Sequence, residues 1–490
     1  MTRTAGSLFV LLAVVALTAP CPGLDTVALL VDQDVYPFLA ARLDRYETDV
    51  EAQFPVDLII CNDQPFESMT PAQVRACITD LHGTRGVDGI ILAGLFPYAL
   101  WKNYAPGSDD KGINSFYYED LDGTFTDTDA DGYDDHHDWG AHVGPEVWVC
   151  WMRPPADDSI LALQSFLDKT HAYYTGQVVF NHRAFAAAHS HYDGNLHGGF
   201  LMVPRLEAMY GAGNVDEDGL GDDPVVASDY VNMLQSNRYE ICSPMGHANP
   251  CVQAWDSGLV WGSPDVRDMT GGAVMTFVYG CYSAGFNGNA NTNTTMMYYM
   301  STANIGQAAA GTSWSYGIEG KWYIFDALKA GDYLGRAWMN METTKNTPDH
   351  MKNRYSDSLD TNRHLWGYTL MGNPFLYARY TPPPAPMPTL TASKLDAGQQ
   401  ATQATTLRLT WSPAGNFDLE FDTTRAFDDP TTTDVTGLTH YDFTTAEPEG
   451  YFRLKANLTP LAPAPASPTA APAAPPAPAA PTPAGNVGSR

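Results

Sequence analysis

Short apolar runs alternate with longer amphipathic ones along most of the chain. Thr26-Val-Ala-Leu-Leu-Val is apolar and mostly aliphatic, which predicts a buried strand. Residues 35–54 carry their apolar positions at helical spacing and predict an amphipathic helix, followed by a strand at 56–61, a helix at 71–82 and a strand at 89–93. A second series begins with a helix at 158–174 and a strand at 177–180. Helices at 198–210 and 227–235 come next, then strands at 238–242 and 273–279. Strand and helix taking turns in this way predict helices packed on a doubly wound, mostly parallel sheet, in two α/β halves.

The two ends of the chain follow other rules. Residues 1–23 have one Arg near the front, an apolar centre at 8–17 and small residues behind it, the pattern of a secretory signal peptide. Pro20 ahead of Cys21 does not suit a lipoprotein signal, and no later stretch has the length and apolarity of a membrane span, so a secreted or cell-surface protein is expected. A Pro-rich linker at 380–388 stiffens the chain and marks a boundary. Beyond it, Thr-rich alternating segments such as Thr406-Leu-Arg-Leu-Thr-Trp predict a small β-sandwich over 389–456. Residues 457–490 are almost entirely Pro, Ala and Thr, which cannot bury a core, so a disordered or extended tail is expected. The C-terminal region is thus a candidate for cell-surface association. The domain reading is therefore 1–23 signal peptide, 25–157 first α/β half, 158–379 second half, then linker, sandwich and tail.

Charge narrows the partners. A formal net charge of −29 over 490 residues argues against nucleic acid and anionic membranes, which both need basic surfaces. Much of the acid is concentrated. Asp127, Asp129, Asp131 and Asp135, with Gly132 between them, stand at positions 1, 3, 5, 9 and 6 of a calcium loop, where oxygen ligands at flexible geometry suit Ca2+. Asn214, Asp216, Asp218 and Asp222, with Gly219, repeat that spacing. Neither loop has Glu at position 12, so both predict structural calcium sites rather than helix-loop-helix sensors.

The candidate chemistry lies in Gly271-Gly-Ala-Val-Met-Thr-Phe-Val-Tyr-Gly-Cys-Tyr-Ser-Ala-Gly and, upstream, Ser243-Pro-Met-Gly-His-Ala-Asn. Each has an apolar run ending in a reactive side chain, Cys281 and His247, and functional residues of open α/β sheets collect beyond the carboxyl ends of strands. A thiol needs such a base because the thiolate is the nucleophile. Of the seven cysteines, six remain if Cys21 is removed; Cys242 with Cys251 and Cys61 with Cys77 are alternative disulfide pairings, and connectivity stays open. His182, His189, His191 and His197 form a His-rich stretch, but their spacing matches no standard zinc pattern.

An apolar block ending in His, a spacer and an apolar block ending in Gly-Cys resemble the signature shared by caspases, legumains, clostripains and gingipains. Ser313-Trp314 after the strand at 308–311, and Leu370-Met-Gly-Asn-Pro-Phe-Leu near the domain end, are similar to the gingipain family in particular. The resemblance covers residues 26–379, with one departure, Ala248 where the family has Gly after its His. It implies two caspase-like (flavodoxin-like) halves, the first silent and the second catalytic, and a secreted cysteine endopeptidase acting on protein or peptide substrates. By that resemblance Trp314 lines the substrate pocket and Asp193 is the acid available for its floor, while no acidic partner for His247 is evident nearby. In the endopeptidase reading His247 deprotonates Cys281 and the backbone N–H groups of Ala248 and Cys281 hold the oxyanion. The competing class is a catalytically inactive calcium-binding surface protein on the same fold.

Overall fold

The structure is a computed structural model that describes residues 24–102, 111–142, 144–156, 159–178, 180–192, 202–218, 224–287, 290–300, 307–311, 321–345 and 366–378, together with strands in the C-terminal region. The chain divides into two compact units, Met1–Pro383 and Pro384–Arg490.

The first unit is built on a ten-stranded sheet. Its strands are β1 Asp25–Val31, β2 Val56–Cys61, β3 Val87–Ala93, β4 Trp148–Met152, β5 Asn181–Ala188, β6 Val215–Asp218, β7 Arg238–Met245, β8 Gly272–Phe277, β9 Gln307–Gly311 and β10 Tyr368–Met371. In space they run β6-β5-β7-β8-β9-β10-β4-β3-β1-β2. All neighbours are parallel except β9 and β10. Central parallel strands are covered on both faces, which is why Val27 to Val31 and Ile90 to Ala93 are uninterrupted apolar runs with no exposed side chain.

The helices supply the cover. Helix α1, Tyr36–Glu51, buries Leu39, Leu43, Tyr46 and Val50, the apolar stripe its sequence spacing predicts. Helix α2, Pro71–Arg85, starts at a capping box in which the Gln73 N–H donates to Thr70 Oγ1 and the Thr70 N–H donates to Gln73 Oε1. It stops at Gly86, whose φ of 66° is the left-handed conformation that ends helices. Helices α3 Ser159–Tyr174, α4 Met202–Tyr210, α5 Ala227–Ser236, α6 Thr294–Met300, α7 Lys321–Ala330 and α8 Leu334–Lys345 complete the first unit. Among the described residues no helix is long and apolar enough to cross a membrane.

Three features differ from the sequence reading. The strand expected at 177–180 is instead β5, because the N–H groups of Gln177 and Val178 donate to Ala172 O and wind off the end of α3. Its run Ala184 to Ala188 is buried throughout. Alanines favour helix by local propensity, but here β6 and β7 pair with the run along its two edges and hold it extended. Second, the two halves share one sheet: β10 pairs with β4 in the register Leu370↔Cys150 and Met371↔Trp151. Third, no disulfide joins any of the six cysteines described, so neither alternative pairing forms. Cys242 is buried near the Tyr230 hydroxyl and Cys251 Sγ sits 3.0 Å from Thr292 Oγ1.

In the second unit six strands between 391 and 456 pair antiparallel as two three-stranded sheets. The linker at 380–388, the tail from 457 and the leader 1–23 lie outside the described residues.

Candidate active site

Strands β7 and β8 are parallel neighbours, so their carboxyl ends open on the same edge of the sheet. The pairing continues past the last regular residues. The Tyr279 N–H donates to Pro244 O at 2.8 Å and the Gly246 N–H donates to Tyr279 O at 2.9 Å. This fixes the backbone one residue before His247 against the backbone two residues before Cys281. The approach demands a bare Gly280: a Cβ there would meet Ala248 Cβ at 2.7 Å and Gly246 O at 3.1 Å. Ala248 lies in a short strand, His247–Asn249, and is not among the residues with positive φ, so alanine is compatible with its backbone where a glycine was expected.

Cys281 follows Gly280 into a turn and is half-buried. Tyr282 takes φ of 56°, an uncommon conformation for a bulky residue, held by Gly285 N–H donating to Tyr282 O and Ser283 Oγ donating to Gly280 O.

His247 is surrounded by rings. Its Nδ1 is 3.4 Å from the Tyr192 hydroxyl, and its ring centroid lies 5.0 Å from His189, 5.6 Å from His191 and 5.3 Å from Tyr192. Partial burial, then the two neighbouring imidazoles, hold its pKa below the ordinary histidine value; Asp256 opposes them. The neutral base that a thiol requires is therefore favoured at neutral pH.

Asp256 is the acid that sequence reasoning missed. It is remote from His189 in the chain, yet its Oδ1 lies 3.3 Å from His189 Nδ1. Burial works against its ionisation, but hydrogen bonds from the Ser190 hydroxyl, the Ser190 N–H and the Val225 N–H outweigh burial and hold the carboxyl below the usual range. Chain distance hid it: the turn carrying Asp256 reaches the end of β5 only once β5 and β7 are side by side.

Lys321 was also missed. Its ammonium group is buried, donates to Ser243 Oγ at 2.8 Å and lies 5.6 Å from the centre of the Tyr279 ring. Burial pushes its pKa down to about 7. It thus fastens the two strand ends from below. Trp314 and Asp193, the expected pocket residues, lie outside the described residues.

The first acidic loop brings three of its carboxylates together. Asp127, Asp129 and Asp135 present carboxylate oxygens within 4.8 Å of one another. Asp127 accepts from the N–H groups of Asp131 and Gly132, and Gly132 turns the chain at φ of 91°. Lys102 Nζ lies 2.5 Å from Asp129, 3.0 Å from Asp131 and 3.8 Å from Asp135, and the hydrogen bond to Asp129 raises its pKa. Carboxylate oxygens are the donor type that calcium takes, and in this structure the cation they surround is Lys102. The second acidic loop differs from the wrapped shape its spacing predicts. Asn214 donates to Tyr210 O, residues 215–218 are drawn out as the edge strand β6, and Asp216 is taken up by Arg183 and the Tyr239 hydroxyl. Pairing with β5 extends the backbone, so Asp216 and Asp218 share a face but stand roughly 7 Å apart along the strand, instead of curling round one point as a calcium loop does. Asp222 lies outside the described residues.

No protein-family model matches the sequence, and no curated protein matches it. The fold, however, is similar to that of solved structures. The Arg-specific cysteine proteinase gingipain R superposes with a TM-score of 0.52 at 12% identity, over 89% of this chain and 92% of its own. A second solved protease gives 0.52 at 12% identity, over 88% of this chain and 96% of its own.

Proposed function

We propose that this chain, which has the gingipain-like peptidase fold, is a cysteine endopeptidase with His247 as base and Cys281 as nucleophile. The observation that carries the reading is the paired backbone of Gly246 and Tyr279, which puts the His-bearing and Cys-bearing turns side by side at the sheet edge. His247 takes the thiol proton and the thiolate adds to the peptide carbonyl. The N–H groups of Ala248 and Cys281 stabilise the oxyanion, and the imidazolium returns the proton to the leaving nitrogen. Water then releases the acyl group from sulfur. Asp256, which opposes the neighbouring imidazoles, is the negative charge that favours the imidazolium as it forms.

The same reading makes the protein secreted or surface-associated, acting on protein or peptide substrates, with Asp127, Asp129, Asp131 and Asp135 holding calcium as a structural brace. Calcium's part is to neutralise repelling carboxylates and so stiffen the loop between the two halves.

The test is iodoacetamide labelling of the mature protein with mass mapping. Cys281 is expected to react faster than Cys61, Cys77 and Cys251 near neutral pH, His247→Ala is expected to slow it, and Cys281→Ala is expected to abolish cleavage of a peptide library. Burial raises the pKa of Cys61 and Cys77, so neither competes as a thiolate. Equal labelling of all cysteines together with no cleavage would return the chain to the inactive binding-protein reading.

A further inference from the structure

We infer that Tyr192 is the positioning residue for the base: its hydroxyl oxygen takes the hydrogen bond of His247 Nδ1 and so leaves Nε2 to receive the thiol proton. This rests on the peptidase reading above.

The turn that carries Tyr192 is fixed on both sides. The His189 N–H donates to Met245 O at 2.8 Å, which ties the end of β5 to β7 two residues before His247. The Tyr192 N–H donates to His189 O at 2.7 Å, and Asp256 holds Ser190 by its N–H and its hydroxyl. The phenol therefore has a set place. Its ring lies 5.3 Å from the His247 ring and 5.6 Å from the Tyr279 ring, so it rests against both the strand end that bears the base and the one that bears the nucleophile. Its hydroxyl oxygen is 3.4 Å from His247 Nδ1. That separation is long for a hydrogen bond, as contacts of this kind often are before substrate closes the site.

The charge on the base decides the direction of that bond. A neutral imidazole can give or take a hydrogen bond at Nδ1, but an imidazolium carries a hydrogen on both nitrogens and can only donate. When the Cys281 S–H bond breaks and the new N–H bond forms at Nε2, the Nδ1–H needs an acceptor. Among the described residues the Tyr192 oxygen is the one within hydrogen-bond reach. It keeps its own proton throughout, because a phenol near pKa 10 is a far weaker acid than an imidazolium near pKa 6.5. The other groups that face His247 do not fill this place. His189 and His191 oppose its charging, and Asp256 acts on it by charge, its oxygens being bonded to Ser190 and the Val225 N–H. Asp256 thus favours the charged ring, while Tyr192 sets which nitrogen takes the proton.

The experiment uses the full mature chain and compares Tyr192→Phe with Tyr192→Leu. Iodoacetamide labelling of Cys281 is followed by mass mapping at about pH 7 and about pH 9.5, and kcat and KM are measured on the best peptide of a library. Tyr192→Phe keeps the ring and loses the oxygen. It is expected to lower both kcat and the labelling rate at pH 7 by roughly ten- to a hundredfold, the scale of a lost hydrogen bond to a charged group, with KM within about twofold of wild type. The labelling deficit is expected to narrow at the higher pH, about a unit above the ordinary thiol pKa, where the thiol ionises without the base. Tyr192→Leu, which loses the ring as well, is expected to be no faster than Tyr192→Phe. A Tyr192→Phe variant as fast as wild type, or one slowed equally at both pH values, would show that the residue only packs, and would overturn the inference while leaving the peptidase reading in place. A wild type whose Cys281 labels no faster than Cys61 and which cleaves no library member would overturn both.

Discussion

Gly280→Ala tests the packing of the two strand ends directly. Gly280 is not in a left-handed conformation, so alanine meets no backbone penalty and the effect is one of space alone. The new methyl would stand 2.7 Å from Ala248 Cβ, 3.1 Å from Gly246 O and 3.1 Å from Ser283 Oγ. Carbon atoms prefer about 3.5 to 4.0 Å, so the turns must part by roughly 1 Å. That movement stretches the 2.9 Å hydrogen bond from Gly246 to Tyr279. Overpacking of this kind costs about 1 to 3 kcal/mol. In a large domain each kcal/mol lowers Tm by about 2 °C, so a fall of roughly 2 to 6 °C is expected by calorimetry. Iodoacetamide labelling of Cys281 should slow in the same variant, because the thiol is carried away from His247. Adding Ala248→Gly removes the shortest contact and leaves the two of 3.1 Å, so it should recover more than half of both losses. If Gly280→Ala melts and labels like the wild type, or the second substitution restores nothing, the strand ends are not packed as described.

Two further outcomes follow from buried and clustered carboxylates. Glu119 is buried beside Glu342, and burial first, then Glu342, holds its pKa well above the usual value, against hydrogen bonds from Trp338 and the Val149 N–H. A carboxyl raised in the folded state contributes stability that is full below its unfolded pKa of about 4.3 and is lost as pH rises through the folded pKa, at up to about 1.4 kcal/mol per pH unit. Glu342→Gln should therefore gain stability over wild type as urea unfolding is moved from pH 4 to pH 8, and a difference that does not change with pH would count against the pair. For the acidic loop, chelation should lower Tm and calcium restore it, by about 2.7 kcal/mol when calcium is a hundredfold above Kd. Asp127→Asn should blunt that response, and identical melting curves with and without chelator would show that Lys102 alone balances the loop.

Much of the scaffold was legible in the sequence because burial writes itself locally. A strand covered on both faces must be apolar at every position, and a helix on a sheet must be apolar on one stripe, so β1, β2, α1 and α5 lie within a few residues of where the pattern predicts them. The same rule marks Cys281 and His247, since a reactive side chain just after such a run stands at a sheet edge. Pattern fails where tertiary contact outweighs local preference. The alanines of β5 carry no strand preference of their own and become a strand only between β6 and β7, and Asp216 reads as a calcium ligand until its strand is paired. It fails again where a contact joins residues far apart in the chain. Only the assembled fold decides that β10 meets β4, that Asp256 reaches His189 and that Lys321 meets Ser243 and Tyr279. Periodicity reports how deeply each residue is buried, but every strand order that buries the same residues satisfies it equally well. Which side chains meet at the site is therefore settled only when the sheet is assembled.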